Sequence, residues 1–427
     1  MKTLFVFDRP LYPLRGGAES RALDHIDYLE SRNIRYDLFL IDRYYNYNRW
    51  DELGIEFILN RKVDNVFLHQ VLDNSSFDTI YHKMVSKFYA YINQEAGVGS
   101  LIHSLPCMRR KFKKIINNNK YDFIFFNHVY VSHALVSDIV VPCKIYIDTH
   151  DIYSNLVQEV LNLQKLDLRI NYSGSRKILN RTKVRNFDYG LSLAQEFKAL
   201  RQFDKVITIS NEELEILKQD EKLSGKSFLI PKISSVNKML IPNNSDTEDI
   251  DIDSQNPQNR KFKLLFFGSQ YDPNIHGITQ FYYNVIPKLN SQVEIIIAGG
   301  VSLKFANKNH PQLKILGFVD DISKLYASVD AVIIPIFYGS GVSIKAVEAL
   351  SYGKPVISTP KGVRGLSLEH DRDVLIAKDI DDFPSLIEKL RLSPNLCQSL
   401  SKYALKYIQT EHSKASVYST MDSIFLS

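Results

Sequence analysis

The sequence predicts an α/β protein made of two doubly wound parallel sheets. Short apolar runs that suit buried strands alternate with helical patterns in both halves of the chain, as in parallel sheets covered by helices. At 427 residues the chain is long enough for two domains. A polar stretch without apolar periodicity, PNNSDTEDIDIDSQNPQN at 242–259, separates the two series of elements.

These features predict four parts of the chain. Residues 1–241 form the first domain, 242–260 the linker and 261–405 the second domain. The last part, 406–427, is expected to be a helix that packs back on the first domain. The linker contains alternating aspartates that resemble a metal-binding pair, but in a polar linker a solvated acidic stretch is the expected interpretation.

The first domain opens with a βαβ unit. Apolar runs predict strands at 3–7 and 36–41, with a helix at about 19–31 between them. A further helix is expected near 76–93, and a largely helical segment at 167–202. The remaining strands are expected at 121–126, 144–147 and 205–210, and a helix with an acidic first turn begins at Asn211.

The second domain repeats the alternation. Its strands are expected at 263–267, 293–298, 313–316, 331–336 and 355–359. Asp272-Pro273 is a suitable N-cap and first-turn pair for a helix, and Gly353 is a suitable C-terminal stop for the helix at 342–351. A short helix is expected at 321–328, and two more lie within 382–406.

Bulk composition excludes several classes of protein. The net charge is +5, and residues 1–240 contain 34 Lys and Arg against 28 Asp and Glu. A solvated basic surface is favoured over an anion-binding surface for this charge. Three scattered cysteines indicate a reducing compartment, and neither a signal-peptide core nor a long apolar span is present. We therefore expect a cytoplasmic protein, with peripheral contact at the inner face of a membrane left open.

Polar residues follow two predicted strands of the first domain. His128 follows the strand at 121–126, and Asp148, His150 and Asp151 follow the strand at 144–147. Because the carboxyl ends of parallel strands share one edge of a sheet, these side chains are expected to form a site. A histidine in such a loop can also be structural filler, so either His alone is ambiguous.

Two further features of this domain have two interpretations each. Gly16-Gly17 at the first βα turn allows close approach of a ligand, but it is not the G-x-G-x-x-G fingerprint and equally suits a tight turn. The basic run at 108–114 lies on a predicted amphipathic helix. It could contact anionic lipid, although a solvated helix face is slightly favoured.

The stretch at 330–362 carries the strongest site signal. Its sequence is typical of a strand, a Gly339-Ser340-Gly341 loop, a helix and a second strand. A glycine loop before a helix presents free N–H groups and a positive dipole end, which suit a phosphate. Lys345 and Glu348 lie on one face of this helix, so they could supply a cation for a diphosphate and a carboxylate for sugar hydroxyls.

Four segments carry a family resemblance. GSGVSIKAVEALSYGKPVIST resembles the nucleotide-sugar motif of glycosyltransferase family 4, the retaining enzymes of the bacterial group 1 type. LLFFGSQYDPNIHGITQFYYNVIP and LGFVDDISKLYASVDAVIIP resemble other segments of its second domain, and RGGAESRALDHIDYL resembles its N-terminal glycine loop. The resemblance implies the GT-B fold, in which two Rossmann-like domains face a central cleft.

The resemblance also implies roles for individual residues. Glu348 would hold the donor ribose, Lys345 would face the diphosphate, and His128 would contact the transferred sugar. The acceptor side would be formed by Asp148, His150 and Asp151. The remaining donor contacts would come from Gly16, Gly17, Gly268, Ser269, Phe318, Ser340, Gly341, Val342 and Ser343. Within this set, the backbone N–H groups of residues 341–343 would cradle the phosphates.

The sequence departs from the family pattern at two places. Ser340 stands where many members have the first of two glutamates, and Ser269 and His276 replace a basic pair. Lys345 is then the main cation, which His276 or Arg364 could assist.

The predicted function is retaining transfer of a sugar from a nucleotide-diphosphate sugar to a glycan or lipid-linked glycan acceptor in cell-surface polysaccharide synthesis. No metal, bound cofactor or nucleic acid is expected. Two alternatives remain open, a nucleotide-sugar epimerase of the same fold and a non-catalytic GT-B module that binds a glycan or a partner.

Overall fold

A computed structural model of the chain describes residues 1–9, 11–12, 17–42, 52–70, 77–91, 101–137, 139–166, 187–234, 260–339 and 341–426. The chain divides into two compact units. The first consists of Met1–Leu161, Asn180–Pro231 and Met421–Ser427, and the second of Asn162–Leu179 and Lys232–Thr420. The predicted linker at 242–259 lies outside the described residues, as do 167–186.

The first unit is built on a parallel sheet of seven described strands. Their order across the sheet is β3-β2-β1-β4-β5-β6-β7. The strands are β1 (Lys2–Phe7), β2 (Arg35–Asp42), β3 (Val63–Gln70), β4 (Phe123–Asn127), β5 (Lys144–Asp148), β6 (Lys205–Thr208) and β7 (Ser227–Leu229). The central strands β1 and β4 are almost entirely buried and apolar, as expected for strands covered by helices on both faces.

Helices cover this sheet because each one turns an apolar face inward. In α4, for example, Met108, Phe112, Ile115 and Ile116 are buried beneath a basic outer face. The described helices of this unit are α1 (Gly17–Ser31), α2 (Glu52–Leu59), α3 (Phe77–Tyr91), α4 (Pro106–Asn118), α5 (Val129–Val136), α6 (Tyr153–Leu166), α7 (Tyr189–Leu200), α8 (Asn211–Lys218) and α9 (Glu221–Ser224).

The second unit has a parallel sheet of six described strands in the order β10-β9-β8-β11-β12-β13. The strands are β8 (Phe262–Phe267), β9 (Val293–Ala298), β10 (Leu313–Gly317), β11 (Ala331–Ile334), β12 (Val356–Ser358) and β13 (Leu375–Ile376). The helices are α10 (Asp272–Asn284), α11 (Ile322–Ala327), α12 (Ile344–Ser351), α13 (Phe383–Arg391), α14 (Pro394–Tyr407) and α15 (Lys414–Phe425), with a π-helical turn between the last two.

The end of α15 contributes to the core of the first unit. The ring of Phe425 lies 5.4 Å from that of Phe125 and 5.9 Å from that of Phe123, between ring centroids. Asp422 accepts two hydrogen bonds of 2.7 Å from the guanidinium of Arg32. Apolar burial and a bidentate ion pair therefore attach the last residues of the chain to β4 and to the residue that follows α1.

The predicted fold class of doubly wound parallel sheets is confirmed in both units. Strand β3 and helix α2 were not predicted, because β3 is a half-exposed strand whose polar residues hide the apolar signal. The expected N-cap at Asp272 is wrong: Tyr271 is the N-cap, and Asp272 is the first helical residue. Helix α12 begins at Ile344, two residues later than expected.

No helix in the described ranges is long and apolar enough to span a bilayer.

Gly277 should be irreplaceable in α10. A Cβ built there would lie 2.0 Å from the carbonyl oxygen of Pro335, so the backbone after β11 would have to move. We expect Gly277→Ala to lower the free energy of unfolding by about 1–3 kcal/mol, which overpacking typically costs. Urea unfolding measures this change. Gly225→Ala is the matched control, since its Cβ would meet nothing within 4 Å, and equal stability of the two variants would contradict the predicted clash.

Candidate functional site

Each unit gathers polar side chains where its strand order reverses. In the second unit β8 lies between β9 and β11, so chain connections leave its two sides in opposite directions. Such a switch point leaves a crevice at the carboxyl ends of the strands, where ligands of open α/β sheets bind. The segment after β8 and the segment between β11 and α12 both start at this crevice.

Lys345, in the first turn of α12, points its ammonium group toward this switch point. Its Nζ donates to Oδ1 of Asn274, on α10, and lies 5.2 Å from the centre of the Phe266 ring on β8. Asn274 is itself oriented, because its amide group donates to the backbone oxygen of Ser269 at 3.0 Å. The loop after β8 therefore positions the lysine through one buried amide side chain.

Burial shifts the titration of both predicted donor-site side chains. Burial, followed by the charge of Arg364, lowers the pKa of Lys345 to about 7, while Glu348 acts in the opposite direction. Burial also raises the pKa of Glu348 to about 7, against the attraction of Lys345. Each shift disfavours the charged form, so an incoming anion would restore the protonated state of the lysine.

Ser343 brings an unused hydroxyl to the same place. It is the N-cap residue of α12, it is buried, and its Oγ has no hydrogen-bond partner within the described part of the chain. Its backbone N–H donates to the carbonyl oxygen of Arg364 at 3.1 Å. The Ser343 N–H is therefore not available to a phosphate, contrary to the backbone cradle expected at 341–343. Its hydroxyl is the group that a ligand could use.

A second cation borders the loop. The guanidinium of Arg364 would lie only 3.0 Å from a Cβ at Gly339, whose φ is +133°. Both the conformation and the space there require glycine. Gly341 also has a positive φ, of 66°, while Ser340 lies outside the described residues. His276, the other proposed assistant, packs its ring edge-on against Phe337 and Tyr338.

An exposed aromatic ring lies beside this crevice. Phe318 follows β10 and is 75% exposed, and a Cβ at Gly300 would lie 3.7 Å from its ring. Gly299 and Gly317 both have positive φ and are joined by a 2.7 Å hydrogen bond from the Gly299 N–H to the Gly317 carbonyl. The ring therefore stands on a glycine-rich surface, which leaves its face open for stacking.

In the first unit the strand order reverses between β1 and β4. His128 follows β4, and its Nδ1 lies 2.9 Å from Oδ1 of Asp8, which follows β1. The His128 ring stacks on that of His150 with 4.1 Å between centroids. Both histidines have left-handed backbones, with φ of 61° and 60°, which non-glycine residues adopt only at an energetic cost.

Asp148 is the centre of a buried network in this unit. One of its carboxylate oxygens, Oδ2, lies 2.7 Å from Arg21 Nε and 2.5 Å from His25 Nε2, both on α1, and the other accepts the backbone N–H of His150. Burial alone would raise the pKa of Asp148, but Arg21, His150 and His25 outweigh it and hold that pKa well below its usual range. With no exposed surface, Asp148 positions its neighbours and does not offer an acceptor contact.

His150 is the neutral partner in this network. Burial, together with the adjacent His128, lowers its pKa well below the usual value. Its Nε2 lies 2.9 Å from Oδ1 of Asn127. An uncharged imidazole fits this position because Arg21 already neutralises Asp148.

Glu213 lies beneath the loop that carries Asp151. Its Oε1 accepts the backbone N–H of Ile152 at 3.2 Å, and its Oε2 has no hydrogen-bond partner among the described residues. Burial, together with the nearby Asp151, raises the pKa of Glu213 to about 8. The glutamate is therefore largely protonated at neutral pH.

Five residues of these clusters were not predicted from the sequence: Asp8, Arg21, His25, Glu213 and Asn274. Arg21 and His25 lie four residues apart, which places them on one face of α1, but nothing in the sequence indicates that Asp148 faces them. Among the glycines predicted to contact a ligand, Gly17 begins α1, and Gly16 lies outside the described residues.

Residues 261–391 match the sequence model of the family described as Glycosyl transferases group 1. Solved structures similar to the whole chain include Anabaena HepE in complex with UDP, with a TM-score of 0.60, 15% identity and 99% of both chains covered. The chain has the GT-B fold. This confirms the fold class that the family resemblance implied.

Two further solved structures are similar to this GT-B chain. Sucrose-phosphate synthase from Thermosynechococcus elongatus has a TM-score of 0.61 at 14% identity, over 100% of this chain and 98% of that one. A mutant of S. aureus TarM, in complex with fondaparinux, alpha-GlcNAc-glycerol and UDP, has a TM-score of 0.62 at 13% identity over all of both chains. No curated protein sequence matches significantly.

The Asp148 network should be essential for stability. Asp148→Asn leaves Arg21 buried without its anion, and breaking such a pair typically costs about 3–5 kcal/mol. We expect a loss of that size in the free energy of unfolding, measured in urea. The control is Glu215→Gln, which removes an exposed pair with Lys218 and should change stability by less than about 1 kcal/mol. An Asp148→Asn variant as stable as this control would contradict the proposed positioning role.

Proposed function

We propose that this GT-B protein is a retaining glycosyltransferase that moves a sugar from a nucleotide-diphosphate sugar to a glycan or lipid-linked glycan acceptor, in cell-surface polysaccharide synthesis. The observation that carries the proposal is the position of Lys345. It lies in the first turn of α12 at the switch point of the second sheet, and its ammonium group is held there by the neutral amide oxygen of Asn274. The match of residues 261–391 to group 1 glycosyl transferases supports the same assignment.

Three groups would bind the donor diphosphate. The Lys345 ammonium would balance its charge, the Ser343 hydroxyl would donate to a phosphate oxygen, and the N-terminus of α12 would add its positive dipole end. Glu348, one turn along the same helix, would accept from the ribose hydroxyls. Phe318 offers a face on which the base can stack. UDP is bound in several of the solved structures that share the fold, and a uridine donor is the first choice.

In the proposed reaction an acceptor hydroxyl attacks the anomeric carbon on the face from which the diphosphate departs. The bond from the anomeric carbon to the phosphate oxygen breaks, and the acceptor proton passes to the departing diphosphate. Preorganised donors at that oxygen stabilise the negative charge that develops there. Lys345 and the α12 N-terminus supply such donors, which is the basis for proposing a metal-independent reaction. His128 is proposed to contact the transferred sugar, and Asp151 the acceptor.

Lys345→Ala and Glu348→Ala should each lower turnover at least about tenfold, because a lost charge-assisted hydrogen bond costs about 1.5–3 kcal/mol. A thermal-shift screen against UDP, GDP, ADP and dTDP sugars first identifies the donor, and product formation with acceptor glycans then gives the rate. Lys402→Ala, on the exposed face of α14, is the control that should retain wild-type turnover. Unchanged rates in both site variants would refute the donor site, and epimerised donor without acceptor would favour an epimerase.

Donor binding should weaken as the pH rises through 7. A bound diphosphate raises the pKa of Lys345 from about 7, so binding takes up a proton wherever the free lysine is neutral. The dissociation constant should therefore rise by up to about tenfold per pH unit above 7. Calorimetry between pH 6 and 8.5, with the donor found in the screen, measures this. Lys345→Met should bind more weakly with a flatter pH profile, and a steep profile in that variant would assign the titration elsewhere.

A further inference from the structure

Helix α3 of the first unit exposes a continuous apolar stripe. Five large side chains at intervals of three or four residues lie on one face of the helix, since this spacing matches the helical repeat. The five side chains and their exposed fractions are Phe77 (59%), Ile80 (58%), Met84 (62%), Phe88 (55%) and Tyr91 (88%), so each is more than half exposed. A helix face this apolar in contact with water indicates an interaction surface.

The outward direction of the stripe is fixed by contacts on the opposite face. Asp78 is fully buried, and its carboxylate accepts the backbone N–H groups of Cys107 at 2.8 Å and Met108 at 3.0 Å, in the first turn of α4. Val85, on the same inner side of α3, is also buried. If the helix rotated to bury the stripe, these hydrogen bonds would break and the side chain of Asp78 would become exposed. The stripe therefore faces outward in the folded protein.

Cations border the stripe. Lys83 and Lys87 are exposed and lie one turn apart along its edge. Helix α4, whose first turn donates two backbone hydrogen bonds to Asp78, also carries exposed cations: Arg110, Lys113 and Lys114. The sequences of these two helices contain one acidic residue, the buried Asp78. Lys83 and Lys87 therefore put positive charge at the edge of the stripe, and neither helix has an exposed acidic residue to offset it.

We propose that α3 docks this unit on the surface of an anionic lipid bilayer. The five apolar side chains would enter the boundary between headgroups and acyl chains, while the lysine stems extend along the apolar surface to bring their ammonium groups to lipid phosphates. Charge complementarity selects this partner. A second copy of the chain would bring cations against cations, and a neutral surface would leave them without partners. The proposal does not depend on the donor site of the second unit.

Cosedimentation of the full chain with vesicles tests the apolar part. Wild-type protein should bind vesicles of phosphatidylcholine with 30% phosphatidylglycerol (about one anionic lipid in three, as in an acidic leaflet). It should bind pure phosphatidylcholine at least about tenfold more weakly. Ile80→Ser with Met84→Ser should lower binding to the anionic vesicles by a further tenfold or more, since both side chains leave the acyl boundary. The control is Leu59→Ser with Leu392→Ser, which removes two exposed leucines elsewhere and should bind as wild type.

Charge reversal tests the electrostatic part. Lys83→Glu with Lys87→Glu should lower anionic-vesicle binding at least about tenfold and remove its salt dependence. Lys402→Glu with Lys406→Glu makes the same change at the same spacing on α14 and should have little effect. If both double variants lost vesicle binding equally, binding would depend only on the net charge of the protein, and the proposal would be overturned. All variants should melt within a few degrees of wild type, as expected for surface changes.

The oligomeric state provides the remaining decisive measurement. Light scattering should give the same mass for wild type and for Ile80→Ser with Met84→Ser. A wild-type dimer that becomes a monomer in this variant, together with no binding to anionic vesicles, would assign the stripe to a second copy of the chain and overturn the membrane proposal.

Discussion

Parallel pairing of strands is the constraint on which both candidate sites depend. In each sheet all strands run in one direction, so their carboxyl ends and the loops that follow them collect at one edge. The strand order then reverses once, between β1 and β4 in the first unit and between β8 and β11 in the second, and the connections diverge on either side. Asp8 and His128 meet at the first reversal, and Asn274 and Lys345 meet at the second.

The two clusters differ in how their buried ionisable group is paired. Asp148 is satisfied by a guanidinium, an imidazole and a backbone amide, and it is fully buried, so no part of it is open to a ligand. Lys345 is held by a neutral amide oxygen and carries a pKa lowered to about 7. A fully paired ion favours one rigid arrangement, whereas a desolvated cation whose hydrogen-bond partner is a neutral amide is stabilised when an anion binds to it. The proposed donor site therefore belongs to the second cluster, while the first has the properties of a scaffold.

Backbone strain marks the same places as the polar clusters. His128 and His150 have positive φ without being glycine, and the strain is held by the Asp8 and Asn127 hydrogen bonds of their rings. In the second unit glycine removes such strain, since Gly339 and Gly341 carry the positive φ values of the loop before α12. The first unit thus orients two imidazoles, while the second brings backbone and hydroxyl groups close to where a ligand would lie.

The sequence by itself determined the elements and the edge of each sheet at which polar residues collect. Apolar runs, glycine punctuation and helical spacing are local signals, and they located most strands as well as Lys345 and Glu348 on one helix face. Strand β3 was not predicted, because a half-exposed strand does not have the continuous apolar run by which a buried strand is recognised.

Only the tertiary structure decided which groups are paired. Asp148 was expected on the acceptor side, yet α1 covers it completely and makes it a positioning residue. The partner of Lys345, 71 residues away along the chain, could not be read from any spacing. The amide of Ser343 was expected to be open to a phosphate, but the carbonyl of Arg364 occupies it and leaves the hydroxyl. Burial and hydrogen bonding between distant segments are set by packing, and they decide which polar groups remain available for chemistry.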